Sequence, residues 1–294
     1  MDTGLLDELT RERVRTLQQA LGRLEGRLGV AYSGGVDSAA LAALAVDALG
    51  AERVVAVMGV SDSLSPDERE LAHRTACQIG VELVEVRTNE QANPAYVAND
   101  VDRCFHCKDE LFTTIDDELA ERLGLAAVAY GENADDALRP DRPGSRAASQ
   151  HRVLRPLADA GLVKQQVRQV ARAFALAVAD KPAAPCLASR IPHGEPVTPQ
   201  KLRQVDQAES AVRAAGFSDC RVRHHGDIAR LELPAGEFAL LADAQRRHGL
   251  LDGVRASGFR HVTVDLAGIQ SGAFTMQILS ARDASRPDAP ASRP

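Results

Sequence analysis

The chain contains no tryptophan, and aromatic residues make up only 3% of its 294 positions. A core without large rings has to be assembled from Ala, Val and Leu. Positive charge is also short: 35 Lys and Arg stand against 41 Asp and Glu, a formal net charge of −6. That argues against a protein whose task is to coat a nucleic-acid backbone, which needs a basic face. It leaves room for a local basic pocket that holds phosphate groups. No apolar run approaches the roughly 20 residues that cross a bilayer. Acids and bases are scattered through the first 25 residues, unlike a signal peptide. We therefore expect a cytoplasmic protein with no membrane partner. Five cysteines, an odd number, argue against a disulfide framework and for thiols, bare or metal-bound, in a reducing compartment.

What is present alternates between strand and helix signals. Leu5, Leu9, Leu17, Leu21 and Leu24 fall near helical spacing and predict an amphipathic helix. Leu28–Tyr32 is a short apolar run that ends at Ser33-Gly34-Gly35, and Ser38–Leu49 reads as an Ala/Leu-rich helix stopped by Gly50. Val54–Val60 and Val81–Val86 read as strands around a helix over Pro66–Ile79. Lys108–Leu123 predicts a helix, Leu125–Gly131 a strand and Leu162–Phe174 another helix. This alternation predicts an α/β fold, a parallel sheet covered by helices, with ligands bound beyond the carboxyl ends of the strands. Lys181–Pro199 carries Pro182, Pro185, Pro192, Pro196 and Pro199 and reads as an ordered loop or linker. Beyond it lie a helix (Pro199–Ala215), a hairpin-like pair (Cys220–His224 and Ile228–Leu233), a helix (Glu237–His248) and a strand (His261–Leu266). The expected organisation is a first domain over 1–180, a smaller α+β region over 181–280 and a disordered tail over 281–294.

The stretch Val30-Ala31-Tyr32-Ser33-Gly34-Gly35-Val36-Asp37-Ser38 places a turn poor in side chains between a buried strand and a helix. Glycines let backbone amides approach phosphate oxygens, and the helix start adds N–H groups and partial positive charge. The hydroxyls of Ser33 and Ser38 add donors. Asp37 would repel a bare phosphate but suits a site in which Mg²⁺ neutralises pyrophosphate. The stretch lacks the Gly-Lys-Ser/Thr of the Walker loop and the spacing of a dinucleotide fingerprint. Asp136, in the pair Asp135-Asp136 that follows the strand Leu125–Tyr130, is a second candidate for that metal; paired acids also serve as helix caps.

Cys104-Phe105-His106-Cys107 is a C-x₂-C pair flanked by Arg103 and Lys108, and Cys186 lies in the proline-rich loop. Three chemical readings are open: a redox dithiol, a zinc site with His106 among the ligands, or an iron–sulfur cluster held by Cys104, Cys107 and Cys186. Cys77 fits the apolar face of a helix and reads as a core residue. Cys220 receives no role.

Ser33-Gly34-Gly35-Val36-Asp37-Ser38 resembles the pyrophosphate (PP) loop of the ATP pyrophosphatases, which split ATP between its α and β phosphates and adenylate a substrate. Over nearly the whole chain, about residues 5–280, the sequence resembles the LarE-type sulfur transferases of nickel-pincer nucleotide biosynthesis. The resemblance rests on that loop, on Glu90 with Asn93-Pro94, on Arg103 to Lys108, and on Gly131-Glu132-Asn133-Ala134-Asp135-Asp136. It continues through Arg142-Pro143-Gly144, Ala160 to Lys164, Lys181-Pro182 and Cys186-Leu187-Ala188-Ser189-Arg190-Ile191-Pro192, and ends at Asp265-Leu266 before Gly268. It implies a Rossmann-like fold of the adenine nucleotide alpha hydrolase type, ATP and Mg²⁺ as cofactors, and a carboxylated pyridinium mononucleotide as substrate. A carboxylate of that substrate is adenylated and converted to a thiocarboxylate. Some family members sacrifice the cysteine corresponding to Cys186, leaving dehydroalanine; others hold a 4Fe-4S cluster on three cysteines. The presence of Cys104, Cys107 and Cys186 implies the cluster version, supplied by sulfide or a cellular sulfur donor. A homo-oligomer is expected.

Around Cys186, Arg190 is placed to bind a phosphate or carboxylate, or to favour the thiolate. Glu209, Arg221 and Arg223 are candidates for the substrate pocket, the two arginines sharing one strand face by period two. The chain departs from the family pattern at Glu132, where a small or hydroxyl residue is expected, at Gln270, where an arginine is expected, and at Ser149 and Gln150, where an acid is usual. Two other readings use the same loop: a tRNA thiolase, which needs a basic platform, and an amide synthetase that consumes ammonia.

Overall fold

The computed structural model describes residues 1–138, 143–182 and 184–269. Gln270 and the 281–294 tail of the sequence reading lie outside them. The chain forms two compact units: Met1–Tyr96 with Asp102–Pro185, and Val97–Val101 with the chain from Cys186 onward. Up to Pro185 the elements are α1 (Glu8–Gly22), β1 (Arg27–Ala31), α2 (Val36–Leu49), β2 (Val54–Val60), α3 (Pro66–Ile79), β3 (Glu82–Arg87), α4 (Pro94–Val97), α5 (Arg103–Thr114) and α6 (Ala120–Leu123). There follow β4 (Leu125–Tyr130), α7 (Ala134–Ala137), α8 (Pro143–Gln150), α9 (Pro156–Asp159) and α10 (Lys164–Ala173).

The four strands form a parallel sheet in the order β3-β2-β1-β4. The chain leaves β1 towards β2 and β3 on one side and reaches β4 on the other. The turn after β1 therefore sits where the strand order reverses, the place where such sheets open a ligand crevice. Strand β2 is apolar throughout because both its faces are covered. Val54, Ala56 and Met58 enter one core and Val55 and Val57 the other. The first core receives α2, whose residues 39–45 are all buried. Alanine at Ala39, Ala40, Ala42, Ala43 and Ala45 lets this helix lie close to the sheet and to its neighbours α1 and α10. The second core takes Phe112, Ile115 and Leu119 from α5 and the π turn that links it to α6, with Ala147 and Ala148 from α8.

The second unit carries α11 (Pro199–Ala214), β5 (Arg221–His225), β6 (Ile228–Glu232), α12 (Ala244–Ala256) and β7 (His261–Val264). Its sheet order is β5-β6-β7, with β5 and β6 antiparallel and β6 and β7 parallel. A parallel return needs a crossover, and α12 supplies it. Ala208, Val212, Phe217, Val222, Leu231, Leu250, Val254 and Phe259 form its core. The α/β class with a parallel sheet and a small mixed second region is as the sequence predicts.

Several local expectations are corrected. Helix α1 begins only at Glu8, because the Asp7 side chain accepts the Thr10 N–H at 2.7 Å and caps it there. Leu5 and Leu9 are exposed. Helix α5 starts at Arg103, five residues before the expected Lys108, so both cysteines of the pair are helical. The expected helix Glu237–His248 is a 3₁₀ turn (Ala235–Ala242) followed by α12, broken where the Asp243 side chain caps Arg246 N at 2.7 Å. A short 3₁₀ turn, Leu187–Arg190, survives within the proline-rich stretch. Cys77 is exposed on α3 and not a core residue. Among the described residues no helix is long and apolar enough to cross a membrane.

Candidate active site

The loop Ser33–Ser38 joins β1 to α2. Gly34 holds φ +71°, and a Cβ there would lie 2.5 Å from the Ala72 Cβ of α3, so glycine is required both by the backbone and by the space. The Ser38 hydroxyl donates to the Gly35 carbonyl at 3.1 Å and accepts the Ser33 N–H at 3.2 Å, closing the loop on itself. Helix α2 then begins with no side-chain cap. Its first-turn amides have no acceptor within the helix, the arrangement that suits an anion. Gly131, at the end of β4, comes so close that a Cβ would lie 2.7 Å from the Asp37 carbonyl carbon and the Ser38 nitrogen. The end of β4 and the first turn of α2 are thus packed main chain to main chain at the cradle.

Polar groups from two other segments meet Asp37. The Asn133 amide donates to Asp37 Oδ1 at 3.2 Å and to Asp136 Oδ2 at 2.8 Å, and its carbonyl caps Asp136 N at 3.1 Å. Lys164, the first residue of α10, pairs its ammonium with Asp37 Oδ2, and its N–H donates to Asp135 Oδ2 at 2.8 Å. Asp37 and Asp136 therefore share one amide, with a cation already on Asp37. That is the donor chemistry a divalent ion and a polyphosphate call for. Among the described residues no three His, Cys, Asp or Glu side chains are grouped as a metal site.

The departure at Glu132 has a structural role. This carboxylate is buried; it accepts the Ser145 hydroxyl and lies 3.6 Å from Arg155 Nη1, joining the end of β4 to α8. Burial, with Glu132 alongside, raises the Tyr130 phenol well above its ordinary range. Ser149 and Gln150 are exposed at the end of α8. Glu90, also buried, accepts the hydroxyls of Ser61 at 2.5 Å and Ser63 at 3.2 Å, which fixes the turn after β2.

Cys104 and Cys107 stand three residues apart at the start of α5 and share a helix face. Cys104 is exposed and Cys107 half-buried, and none of the five cysteines forms a disulfide. This helix start is tied to α8 by Arg146, whose guanidinium lies 4.2 Å from the Phe105 ring centre and 3.4 Å from Asp102. The Lys108 ammonium sits over the Tyr130 ring at 4.1 Å.

In the second unit Cys186 is exposed at the start of the Leu187–Arg190 turn. Arg190 is not a surface residue. It is 4% exposed, bonded through Nε and Nη2 to Glu209 at 2.7 and 3.1 Å, and through Nη1 to the Ser189 hydroxyl at 2.9 Å and the Cys186 carbonyl at 3.3 Å. Burial works against its charge, but Glu209 outweighs burial and raises its pKa. Glu209 in turn accepts the Val222 N–H of β5 at 3.0 Å.

The hairpin register pairs Arg221 with Glu232 and Arg223 with Arg230, placing all four on one face. Arg223 is buried, bonded to Glu232 at 2.9 and 2.7 Å and to the Ser189 carbonyl at 3.0 Å. Arg221 pairs with Asp219 at 2.5 Å and Arg230 with Asp265. The expectation of arginines on one strand face holds, and the structure adds the acids that hold them. Cys220 is buried and its thiol pushed up to about 12, largely by burial, which leaves it unreactive.

The family model described as asparagine synthase matches residues 14–230. A protein of Lactiplantibacillus plantarum named pyridinium-3,5-bisthiocarboxylic acid mononucleotide synthase is 34% identical over 260 residues, covering 87% of this chain and 91% of its own. The chain belongs to the LarE-type sulfur transferases of the PP-loop family. An uncharacterized protein of Synechocystis sp. is 43% identical over 88% of this chain and 96% of its own, and one of Methanocaldococcus jannaschii 24% identical over 81% and 88%. As a LarE-type enzyme the chain is an ATP-dependent sulfur transferase. Sequence reading did not single out Asn133 or Lys164 at the cradle, although both fall in strings that carry the resemblance. Their pairing with Asp37 spans 96 and 127 residues and leaves no mark in local spacing.

Proposed function

We propose that this LarE-type enzyme adenylates a carboxylate of pyridinium-3,5-biscarboxylic acid mononucleotide, releases pyrophosphate, and converts the acyl-adenylate to a thiocarboxylate. The observation that carries the reading is the closed Ser33–Ser38 loop, with the amides of α2 above it and Asp37, Asn133, Asp136 and Lys164 beside it. A carboxylate is a poor electrophile because its oxide is a poor leaving group. Attack of its oxygen on the α-phosphorus of ATP expels pyrophosphate, which the loop amides, the Ser33 and Ser38 hydroxyls and Lys164 stabilise. Mg²⁺ would sit with Asp37 and Asp136 and neutralise the departing charge. Hydrosulfide then attacks the acyl carbon and AMP leaves. The thiol acid formed loses its proton to give the thiocarboxylate.

For the sulfur step the candidates are Cys104, Cys107 and Cys186, the cysteines in the family strings, none of them buried. A 4Fe-4S cluster on these three thiolates would keep one iron open to bind hydrosulfide. Arg190 and Glu209 brace the Cys186 turn, and Arg221 and Arg223 supply the cationic side of the substrate pocket. The test of the first half is exchange of labelled pyrophosphate into ATP. It should require the biscarboxylate mononucleotide and Mg²⁺ and vanish in Asp37→Asn. Exchange without the acid would contradict adenylation of that substrate. The test of the second half is iron and acid-labile sulfide on anaerobically prepared protein. Both should be present and be lost in Cys104→Ala; a colourless protein with bound zinc would overturn the cluster.

A further inference from the structure

Asn99 combines three uncommon properties. It is a non-glycine residue at φ 59°, it is 0% exposed, and its side-chain amide donates to three main-chain carbonyls. Nδ2 donates to the carbonyls of Ile191 at 3.3 Å, Pro192 at 2.8 Å and Glu195 at 3.0 Å. Its own carbonyl accepts the Gly194 N–H at 3.2 Å and His193 Nδ1–H at 3.1 Å, and the Val197 N–H donates to the Val97 carbonyl at 2.9 Å. Asn99 lies in the five-residue segment Val97–Val101, which packs with the second unit although the chain on both sides belongs to the first.

A left-handed backbone at a buried non-glycine residue costs of order 1–3 kcal/mol and persists where the surroundings over-determine it. Asparagine is among the few residues that take this conformation readily. Here the conformation turns one amide towards three carbonyls of a proline-rich loop that has no strand or helix of its own to satisfy them. That loop continues directly from the turn carrying Cys186: the Ile191 N–H donates to the Ala188 carbonyl at 3.2 Å, and Arg190 holds the Cys186 carbonyl at 3.3 Å. The Cys186 turn is therefore braced at two points, by Glu209 through Arg190 and by Asn99 through residues 191–195.

Resting on the function proposed above, we infer that Asn99 is a positioning residue for the sulfur step. It locks the segment that follows Cys186 so that this cysteine is held in place for the sulfur step, and it takes no part in adenylation.

The experiment compares wild type, Asn99→Gly and Asn99→Asp, prepared anaerobically, with ATP, Mg²⁺, pyridinium-3,5-biscarboxylic acid mononucleotide and sodium sulfide. Glycine accepts the backbone conformation and removes the amide. Aspartate keeps the shape but sets an acceptor against three carbonyls. In Asn99→Gly, pyrophosphate exchange should stay near wild type, while thiocarboxylate formation falls at least about tenfold, the factor expected when one or two net hydrogen bonds are lost. Asn99→Asp should be worse than Asn99→Gly.

Hydrogen exchange supplies a readout independent of activity. The amides of Gly194 and Val197 should exchange at least about tenfold faster in both variants, with α11 and β5 unaltered. Wild-type exchange rates and wild-type thiolation in Asn99→Gly would overturn the inference. An equal fall of adenylation and thiolation would also overturn it, marking a merely structural residue. If wild type itself fails to adenylate the acid, the functional reading has failed, and unaltered hydrogen exchange in the variants would still overturn the brace.

Discussion

Replacing Glu209 by leucine strips Arg190 of its counter-ion in a place where the two side chains are each 4% exposed. Breaking a buried pair from one side typically costs about 3–5 kcal/mol, because the remaining charge stays desolvated. Val222 also loses the acceptor of its N–H, adding about 1–3 kcal/mol for a buried donor left unmade. Replacing both partners, as Arg190→Met with Glu209→Leu, removes the stranded charge and leaves only the lesser loss. The double variant should therefore be more stable than Glu209→Leu alone by about 2 kcal/mol or more. Urea unfolding followed by circular dichroism, together with both single variants, gives the coupling. Additive costs, or a Glu209→Leu variant that loses less than about 1 kcal/mol, would refute the claim that this pair holds the Cys186 turn.

Gly131→Ala forces a Cβ against the main chain of Asp37 and Ser38 and should cost about 1–3 kcal/mol of cradle geometry, seen as a roughly 5- to 150-fold fall in pyrophosphate exchange with retained circular dichroism. Lys164→Met leaves Asp37 without its ammonium and should raise the KM for ATP at least about tenfold while melting changes little. His151 bridges Asp116 and Asp109, each at 2.9 Å. Burial opposes its charge, but the two carboxylates outweigh burial and raise its pKa above 6.5. A raised folded pKa gives stability that is present in full below the unfolded value and fades as pH rises through the folded one. His151→Gln should accordingly lose more melting temperature near pH 5.5 than near pH 8.5, roughly the window of histidine titration. An equal loss at both would contradict the assignment.

Elements with strong punctuation were legible from sequence: β2 and α3 have the bounds that the apolar run Val54–Val60 and the stretch from Pro66 to Gly80 suggest. The start of α5 was not, because no side chain caps it; Asp102 stands there only with its carbonyl, and Arg-Cys-Phe-His-Cys has no apolar period. The break at Asp243 carried a signal, an N-cap acid inside an apolar stretch, that periodicity alone overrides. The phosphate loop was legible because its chemistry is contiguous. The partners of Asp37 were not, because they are brought together by the order of the strands. The burial of Arg190, Arg221 and Arg223 was equally hidden: arginine is mostly exposed, and only the hairpin register, α11 and the turn before β5 reveal their acids.

The claim on which the account turns is that one cradle activates a carboxylate for sulfur. The direct measurement is product analysis after anaerobic incubation with ATP, Mg²⁺, sodium sulfide and pyridinium-3,5-biscarboxylic acid mononucleotide. The account predicts a nucleotide in which one carboxylate oxygen is replaced by sulfur, with one AMP and one pyrophosphate formed per sulfur introduced. ADP and phosphate in their place, or AMP formed with no sulfur in the product, would contradict it.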